Sequence, residues 1–280
     1  MDLLRTDEGP EQLALQEEFA TRGVDRREAL ITRLWQFALI VALVGIWQLS
    51  AWQQWLNPTL AKSPAETMRF LGESASTGEL WTNGVATMKA VLIAWAIGGV
   101  VGTALGLGLG LSRRAERIVT PFIDAANAMP RIALAPVFII AFGIETEAKV
   151  ALAVSLVIFI VLSGARAGVH AADPDWLRLS VVLGARKSQM FRKVFLPVAL
   201  PSIFSALRLG LVYSLLGVVA SELISARDGL GQLVSLYSGT FQMQAVYGIL
   251  LVLACVAVVL NQGTAVIERR LTRWVPPRDH

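Results

Sequence analysis

Four charged side chains stand inside otherwise apolar stretches: Asp124, Arg131, Arg208 and Glu222. A charge at the centre of a bilayer costs roughly 2.5 to 3.5 kcal/mol for Arg or Asp on insertion scales, so such residues must face protein or water. They are expected either to line a polar path or to pair within the fold. For Arg131 and Arg208 the two readings stand level, while Asp124 and Glu222, near span ends, also suit pairing or snorkelling. Asn127 lies one helical turn before Arg131 and would share its face. Bond-making chemistry has few instruments here. The two histidines are His170 and His280, and His170 has no Cys or acidic partner at ligand spacing, which makes it a plain interface histidine. Cys255 is the single cysteine, so neither a disulfide framework nor a CxxC site is available. Paired carboxylates, a GxSxG elbow and an HExxH helix are absent. The stretch Gly184-Ala185-Arg186-Lys187-Ser188 lacks the spacing of a phosphate-cradling GxxxxGKS/T loop. No catalytic residue and no metal site are expected.

The elements that must hold those charges are membrane spans. Of 280 residues 55% are hydrophobic and 16% charged, with a mean hydropathy of +0.58. A globule of about 300 residues buries only about 75% of its unfolded surface, so lipid must cover the remainder. Net charge is +4, but the basic residues form short clusters between apolar runs rather than a stripe with aromatics, which argues against nucleic acid. Six runs are long enough to cross: about 34–56, 85–111, 118–143, 150–169, 200–224 and 245–267. In the first, Trp35 and Trp55 would place an indole at each interface. The third holds Pro121, Pro130 and Pro136, which predicts a broken or tilted span. Eighteen Lys and Arg fall on one side if the N-terminus is cytoplasmic: Arg5, Arg22, Arg26, Arg27 and Arg33, then Arg113, Arg114 and Arg117, then six between Arg166 and Lys193, then four from Arg269 to Arg278. The other side has four, Lys62, Arg69, Lys149 and Arg227, which predicts that both termini are cytoplasmic. Residues 1–33 read as a polar cytoplasmic tail with a helical stretch, and a short amphipathic helix is expected near Ala65 to Leu71, behind Ser63-Pro64. Gly98, Gly102, Gly106 and Gly110 lay a strip of backbone along one face of the second span, where another helix can pack closely.

The segment from about His170 to Ala199 has strong helix punctuation. Asp173 can cap, Pro174 suits the first turn and Asp175 complements the dipole. Trp176, Leu179 and Leu183 then share a face, and Gly184 can supply the left-handed residue that ends the helix. A second piece, Ser188 to Phe195, carries Arg192 and Lys193 and is expected to stop at Leu196-Pro197. On these residues alone, an interfacial helix lying on anionic lipid is an equal reading.

Gly184, nine residues, Val194-Phe195-Leu196-Pro197 resembles the loop signature of bacterial ABC importer permeases: Glu-Ala-Ala, three residues, Gly, nine residues, Ile, any residue, Leu-Pro. Arg178, Leu179 and Ser180 occupy the Glu-Ala-Ala positions, so the motif's opening has drifted. The resemblance runs from about Thr87 to Trp274 and is similar to the nitrate, alkanesulfonate and taurine permeases. It rests on Pro130-Arg131-Ile132-Ala133-Leu134-Ala135-Pro136, Phe142-Gly143, Asp173-Pro174, Leu183-Gly184-Ala185, Leu196-Pro197 with Leu200-Pro201, Glu222 and Gly229-Leu230-Gly231. Such permeases usually place an arginine where this chain has Ala90, and Lys89 is the expected substitute.

The resemblance implies an all-α integral membrane protein: six transmembrane helices in the type I ABC importer permease fold, in the bacterial cytoplasmic (inner) membrane. A tail at 1–33 and a first helix at 34–56 would precede a permease domain at 83–267, with a coupling loop at about 173–197 and a cytoplasmic tail at 268–280. The coupling residues would be Asp173, Trp176, Arg178, Leu179, Ser180, Leu183, Gly184, Ala185, Leu196 and Pro197. Asn127, Arg131, Arg208 and Glu222 are the pathway candidates. Implied partners are a second permease chain, as a homodimer, two ATP-binding subunits, a soluble substrate-binding protein and membrane lipid. No cofactor is expected on this chain, ATP and Mg being held by the ATPases. Arg131 and Arg208, each present twice around a central path, would favour a small anion such as a sulfonate, nitrate or carboxylate. The rival of another class is an ion-coupled secondary transporter using Glu222 and Asp124. A membrane enzyme is disfavoured by the missing catalytic constellation.

Overall fold

The computed structural model describes residues 10–53, 57 and 60–271, apart from the side chains of 10–27, 29 and 30, and all regular elements among them are helical. Trp55, Trp274 and the basic residues after Arg270 lie outside the described residues, so the paired-indole expectation rests on Trp35 alone. The chain divides into two units, Met1–Ala65 and Glu66–His280.

In the first unit, one helix, α1, runs from Pro10 to Trp52, and its apolar part is Ile31–Trp52. The expected boundary between tail and span at residue 33 is therefore no structural break. No proline or glycine cluster interrupts 11–52, so the backbone ladder continues through the change from polar to apolar composition. Trp47 Nε1 donates to the Lys62 carbonyl at 2.9 Å.

The second unit begins within α2 (Pro64–Ser76), the short helix expected behind Ser63, and continues with α3 (Glu79–Leu111). The third span is broken as its prolines predict. Helix α4 (Arg113–Ala128) meets the segment Arg131–Phe142, which is a 3₁₀ turn followed by α5 (Ala135–Phe142), at 83°. Pro130 holds Met129 in extended geometry (φ −75°, ψ 132°), and Pro136 opens α5. Then come α6 (Thr146–His170), α7 (Pro174–Val182), α8 (Lys187–Met190), α9 (Leu196–Ile224), α10 (Leu230–Gly239) and α11 (Met243–Leu271). Among the described residues five helices are long and apolar enough to cross a membrane, or six with the bent pair taken as one span.

Helix α6 is the spine, packed between α3 and α9. A Cβ on Gly98 would lie 2.7 Å from Val157 Cβ, one on Gly102 2.7 Å from the Ile158 carbonyl, and one on Gly110 2.8 Å from Val169 Cβ. On the α9 side, a Cβ on Gly168 would lie 2.9 Å from Ala199 Cα, and one on Gly217 2.9 Å from Ala153 Cα. Small residues thus let backbones touch in a setting where lipid competes for apolar contact and close van der Waals packing must hold helices together. Gly106→Ala, whose Cβ would meet the Leu162 carbonyl at 2.5 Å, is expected to destabilise the protein by about 1–3 kcal/mol. Thermal unfolding in detergent tests this, against Gly108→Ala, where nothing lies within 4 Å. Equal midpoints for the two variants would contradict close α3–α6 packing.

One expectation is corrected. Leu196-Pro197 does not stop a helix, because Lys187–Ile224 runs as one long helical segment. The turn Phe191–Phe195 is a π-helix, and the Leu196 N–H bonds to the Phe191 carbonyl, five residues back. Proline has no N–H and its ring crowds the carbonyl four residues earlier, and the widened turn accommodates both without ending the helix.

Candidate functional site

The first part of the loop between α6 and α9, through Gly184, is built as its punctuation predicts. Asp173 accepts the Asp175 N–H at 2.8 Å, capping α7, and Pro174 stands in the first turn. Gly184 has φ 72°, the Ala185 N–H reaches the Ser180 carbonyl at 3.0 Å, and the Gly184 N–H reaches the Val181 carbonyl at 3.0 Å. This is a left-handed helix stop that satisfies the last carbonyls. Trp176 is 68% exposed, Leu179 57% and Leu183 75%, so the apolar face has no cover within the described residues. Arg178, at the drifted Glu position, pairs with Asp175 at 3.1 Å in full view of solvent, and the Ser180 hydroxyl donates to the Trp176 carbonyl at 2.8 Å. Ala185, Leu196 and Pro197 are half-buried at the return into α9.

At the opposite end of the α3–α6–α9 packing lies a buried ion-pair cluster that the sequence alone does not assemble. The Glu222 side chain is fully buried and its Oε1 lies 3.2 Å from Lys149 Nζ, itself 2% exposed. Thr87 Oγ1 donates to the same carboxylate at 3.0 Å, and the Gly231 N–H donates to Oε2 at 2.9 Å. Lys149 also bonds Asp228 Oδ1 at 2.5 Å and the Asp228 carbonyl at 2.7 Å. Thr87 Oγ1 accepts the Leu230 N–H at 2.8 Å, and Asn83 Oδ1 accepts the Gly229 N–H at 2.8 Å. Gly229 has φ 114°, and a Cβ there would fall on the Glu222 carboxylate. The Gly229-Leu230-Gly231 motif is thus a cradle for Glu222. Lys149, a loop charge by its place in the sequence, is instead inside. The cation that shares the Glu222 carboxylate with Thr87 is Lys149, whereas Lys89 is exposed. The one signal in the sequence is that Lys149 stands at the very edge of an apolar run.

Nearby, Glu79 joins α2, α3 and α10: Ser74 Oγ donates to it at 2.6 Å and the Tyr237 hydroxyl at 2.9 Å. Burial, helped by the Glu79 carboxylate, pushes the Tyr237 phenol up to about 12, so it stays a donor across the physiological range.

The remaining candidates separate. Arg131 lies 3.7 Å above the Phe159 ring and donates to the Ser155 carbonyl at 2.9 Å, the Ala126 carbonyl at 3.1 Å and Asn127 Oδ1 at 2.7 Å. These bonds bind the broken span to α6, and Asn127 serves Arg131 across the break. Arg208 differs. Its Nε donates to Asn261 Oδ1 at 2.8 Å, its Nη1 stands 3.5 Å from Glu268, and it lines a cavity of about 600 Å3 with Ser202, Ser205 and Asn261. Asp124 is exposed on α4. His170 Nε2 lies 3.1 Å from Glu116, so the interface histidine has an acidic neighbour brought in by folding.

Comparison with known proteins agrees with this architecture. The family described as "Binding-protein-dependent transport system inner membrane component" matches residues 98–275. The taurine transport system permease of Escherichia coli K12 is 30% identical over 84% of this chain and 87% of its own length. The aliphatic sulfonates transport permease of the same organism is 30% identical over 88% and 94%. The riboflavin transport system permease of Chloroflexus aurantiacus is 28% identical over 84% and 88%. Among solved structures, an inward-facing methionine ABC transporter aligns with TM-score 0.62 at 19% identity, covering 70% of this chain and 95% of that one, a likeness of fold. With the matched family spanning the loop and, in the buried cluster, Lys149, Glu222 and Gly229-Leu230-Gly231, this chain belongs to the inner-membrane permease components of binding-protein-dependent ABC transport systems, multi-pass subunits that carry no ATPase of their own.

Proposed function

We propose that two copies of this chain form the translocation path for a small anion, a sulfonate, nitrate or carboxylate, handed over by a soluble binding protein and driven by two ATP-binding subunits that hold ATP and Mg. The observation that carries the substrate class is Arg208. Its guanidinium stands on a cavity of about 600 Å3 with two serines and an amide, and its carboxylate neighbour, Glu268, is 3.5 Å away. A planar cation with hydroxyl and amide neighbours suits a tetrahedral or planar oxyanion. Relatives named for taurine and aliphatic sulfonates support that class. Arg131, satisfied by carbonyls and a ring, holds the broken span in place. The loop 173–197 is the coupling loop, its uncovered Trp176, Leu179 and Leu183 face docking on an ATPase, and both termini are cytoplasmic, in keeping with eighteen basic residues on that side against Lys62, Arg69 and Arg227 on the other once the buried Lys149 is set aside.

Uptake of taurine and an alkanesulfonate by proteoliposomes carrying the full complex tests the pathway reading. A charge-assisted hydrogen bond contributes about 1.5–3 kcal/mol, so Arg208→Gln is expected to lower uptake about tenfold or more at normal protein levels. Unchanged uptake by Arg208→Gln would remove this arginine from the path.

A further inference from the structure

We infer that the cavity where α3 meets α4 and α6 meets α7 binds a phosphate-bearing anion, either the headgroup of an acidic phospholipid or free phosphate. The cavity measures about 740 Å3, with Arg113, Arg117 and His170 among its polar lining and Val169, Leu177 and Phe195 among its apolar lining. Its size falls in the range of ordinary ligand sites.

The charge balance is what singles it out. One carboxylate, Glu116, is present in the lining, and it is already engaged by His170 Nε2 at 3.1 Å and Arg166 Nε at 3.7 Å. Arg166 also donates to Thr120 Oγ1 at 3.1 Å. Arg113 and Arg117 have no acidic partner among the described residues, and the one bond between them runs from Arg117 Nε to the Arg113 carbonyl at 3.3 Å. Two forked guanidinium donors one helical turn apart therefore face a cavity with no anion of their own to neutralise them. Guanidinium matches phosphate oxygens in a bidentate way that a lysine cannot.

Position adds a second argument. The lining includes Leu111, the last residue of α3, and His170, the last of α6, so the cavity sits where two spans end, at the level of lipid headgroups. An apolar wall beneath basic groups is the composition that takes a headgroup together with the start of its acyl chains. Pro174 and Leu177 of α7 also line it, so a bound anion would rest against the helix that bears the exposed Trp176 face.

The test uses the purified full chain, with its ATPase where the two copurify, stripped of lipid in detergent. Thermal unfolding is followed on adding phosphatidylglycerol in mixed micelles, phosphatidylcholine in mixed micelles, or inorganic phosphate, and native mass spectrometry counts retained lipid. Phosphatidylglycerol should raise the midpoint more than phosphatidylcholine. Arg113→Gln/Arg117→Gln should weaken that response about tenfold in lipid concentration, while Arg269→Gln/Arg270→Gln, which removes equal charge elsewhere, should not. A response to inorganic phosphate alone, lost in the first double variant, would assign the site to the free anion. No response to either phosphate source, or equal loss in both double variants, would overturn the inference. All four arginines are exposed, so the variants should fold, and an unchanged unliganded midpoint checks that they do.

Discussion

Replacing Lys149 by methionine is expected to destabilise the protein by about 3–5 kcal/mol, the usual consequence of removing one partner of a buried ion pair. Lys149 and Glu222 are both excluded from solvent, and the other donors to Glu222, Thr87 and the Gly231 N–H, are neutral. The variant therefore leaves a buried carboxylate with no cation. Asp228 is a different case: its side chain is 53% exposed, so water can replace Lys149 there, and Asp228→Asn should have a much smaller effect. The double variant Lys149→Met/Glu222→Met should recover part of the loss, since the penalty falls on whichever charge is left alone. Thermal unfolding of the detergent-solubilised protein reads all four proteins. A midpoint for Lys149→Met equal to wild type, or a double variant no better than the single, would contradict the buried pair.

The second expectation concerns transmission of force. Gly184 adopts φ 72°, and nothing lies within 4 Å of the place a Cβ would take, so substitution there acts through backbone conformation alone. A left-handed geometry costs an ordinary L-residue about 1–2 kcal/mol, and more for a β-branched side chain. Gly184→Val should therefore shift α7 relative to α8 and depress substrate-stimulated ATP hydrolysis of the reconstituted complex by about tenfold or more, with membrane insertion intact. Asparagine tolerates this region, so Gly184→Asn should retain most activity and Gly184→Ala should fall between. Wild-type stimulation in Gly184→Val, or no ordering among the three, would show that this turn does not position the loop.

The two expectations differ in how far they can be reached from the chain alone. The α7 turn is legible because every signal is local: Asp173, Pro174 and Gly184 act within one or two turns of themselves. The break at Met129-Pro130 is legible for the same reason. Leu196-Pro197 misleads because proline's local rule, the loss of one bond and a crowded carbonyl, has two outcomes. The chain takes the second, a widened turn at Phe191–Phe195 that keeps the helix going into the well-packed α9.

The candidate charges show where local reading runs out. Glu222 and Gly229-Leu230-Gly231 stand out in the sequence, but their meeting with Thr87 depends on α3, α9 and the loop before α10 converging on one point, and nothing near Lys149 in the chain announces that it joins them. Arg131 and Arg208 look alike in sequence, each an arginine in an apolar run. Folding gives one a ring and three carbonyl-type acceptors and leaves the other on a cavity.

Composition, apolar run length and capping residues by themselves determined that this chain crosses a membrane as helices, where one span breaks and where the exposed loop helix starts and stops, because each is settled by neighbours within a few residues. Which charges are buried partners and which face open space was decided only by the tertiary structure, because the cost of a charge depends on what surrounds it, and residues 135 positions apart, such as Thr87 and Glu222, become its surroundings only when the helices pack.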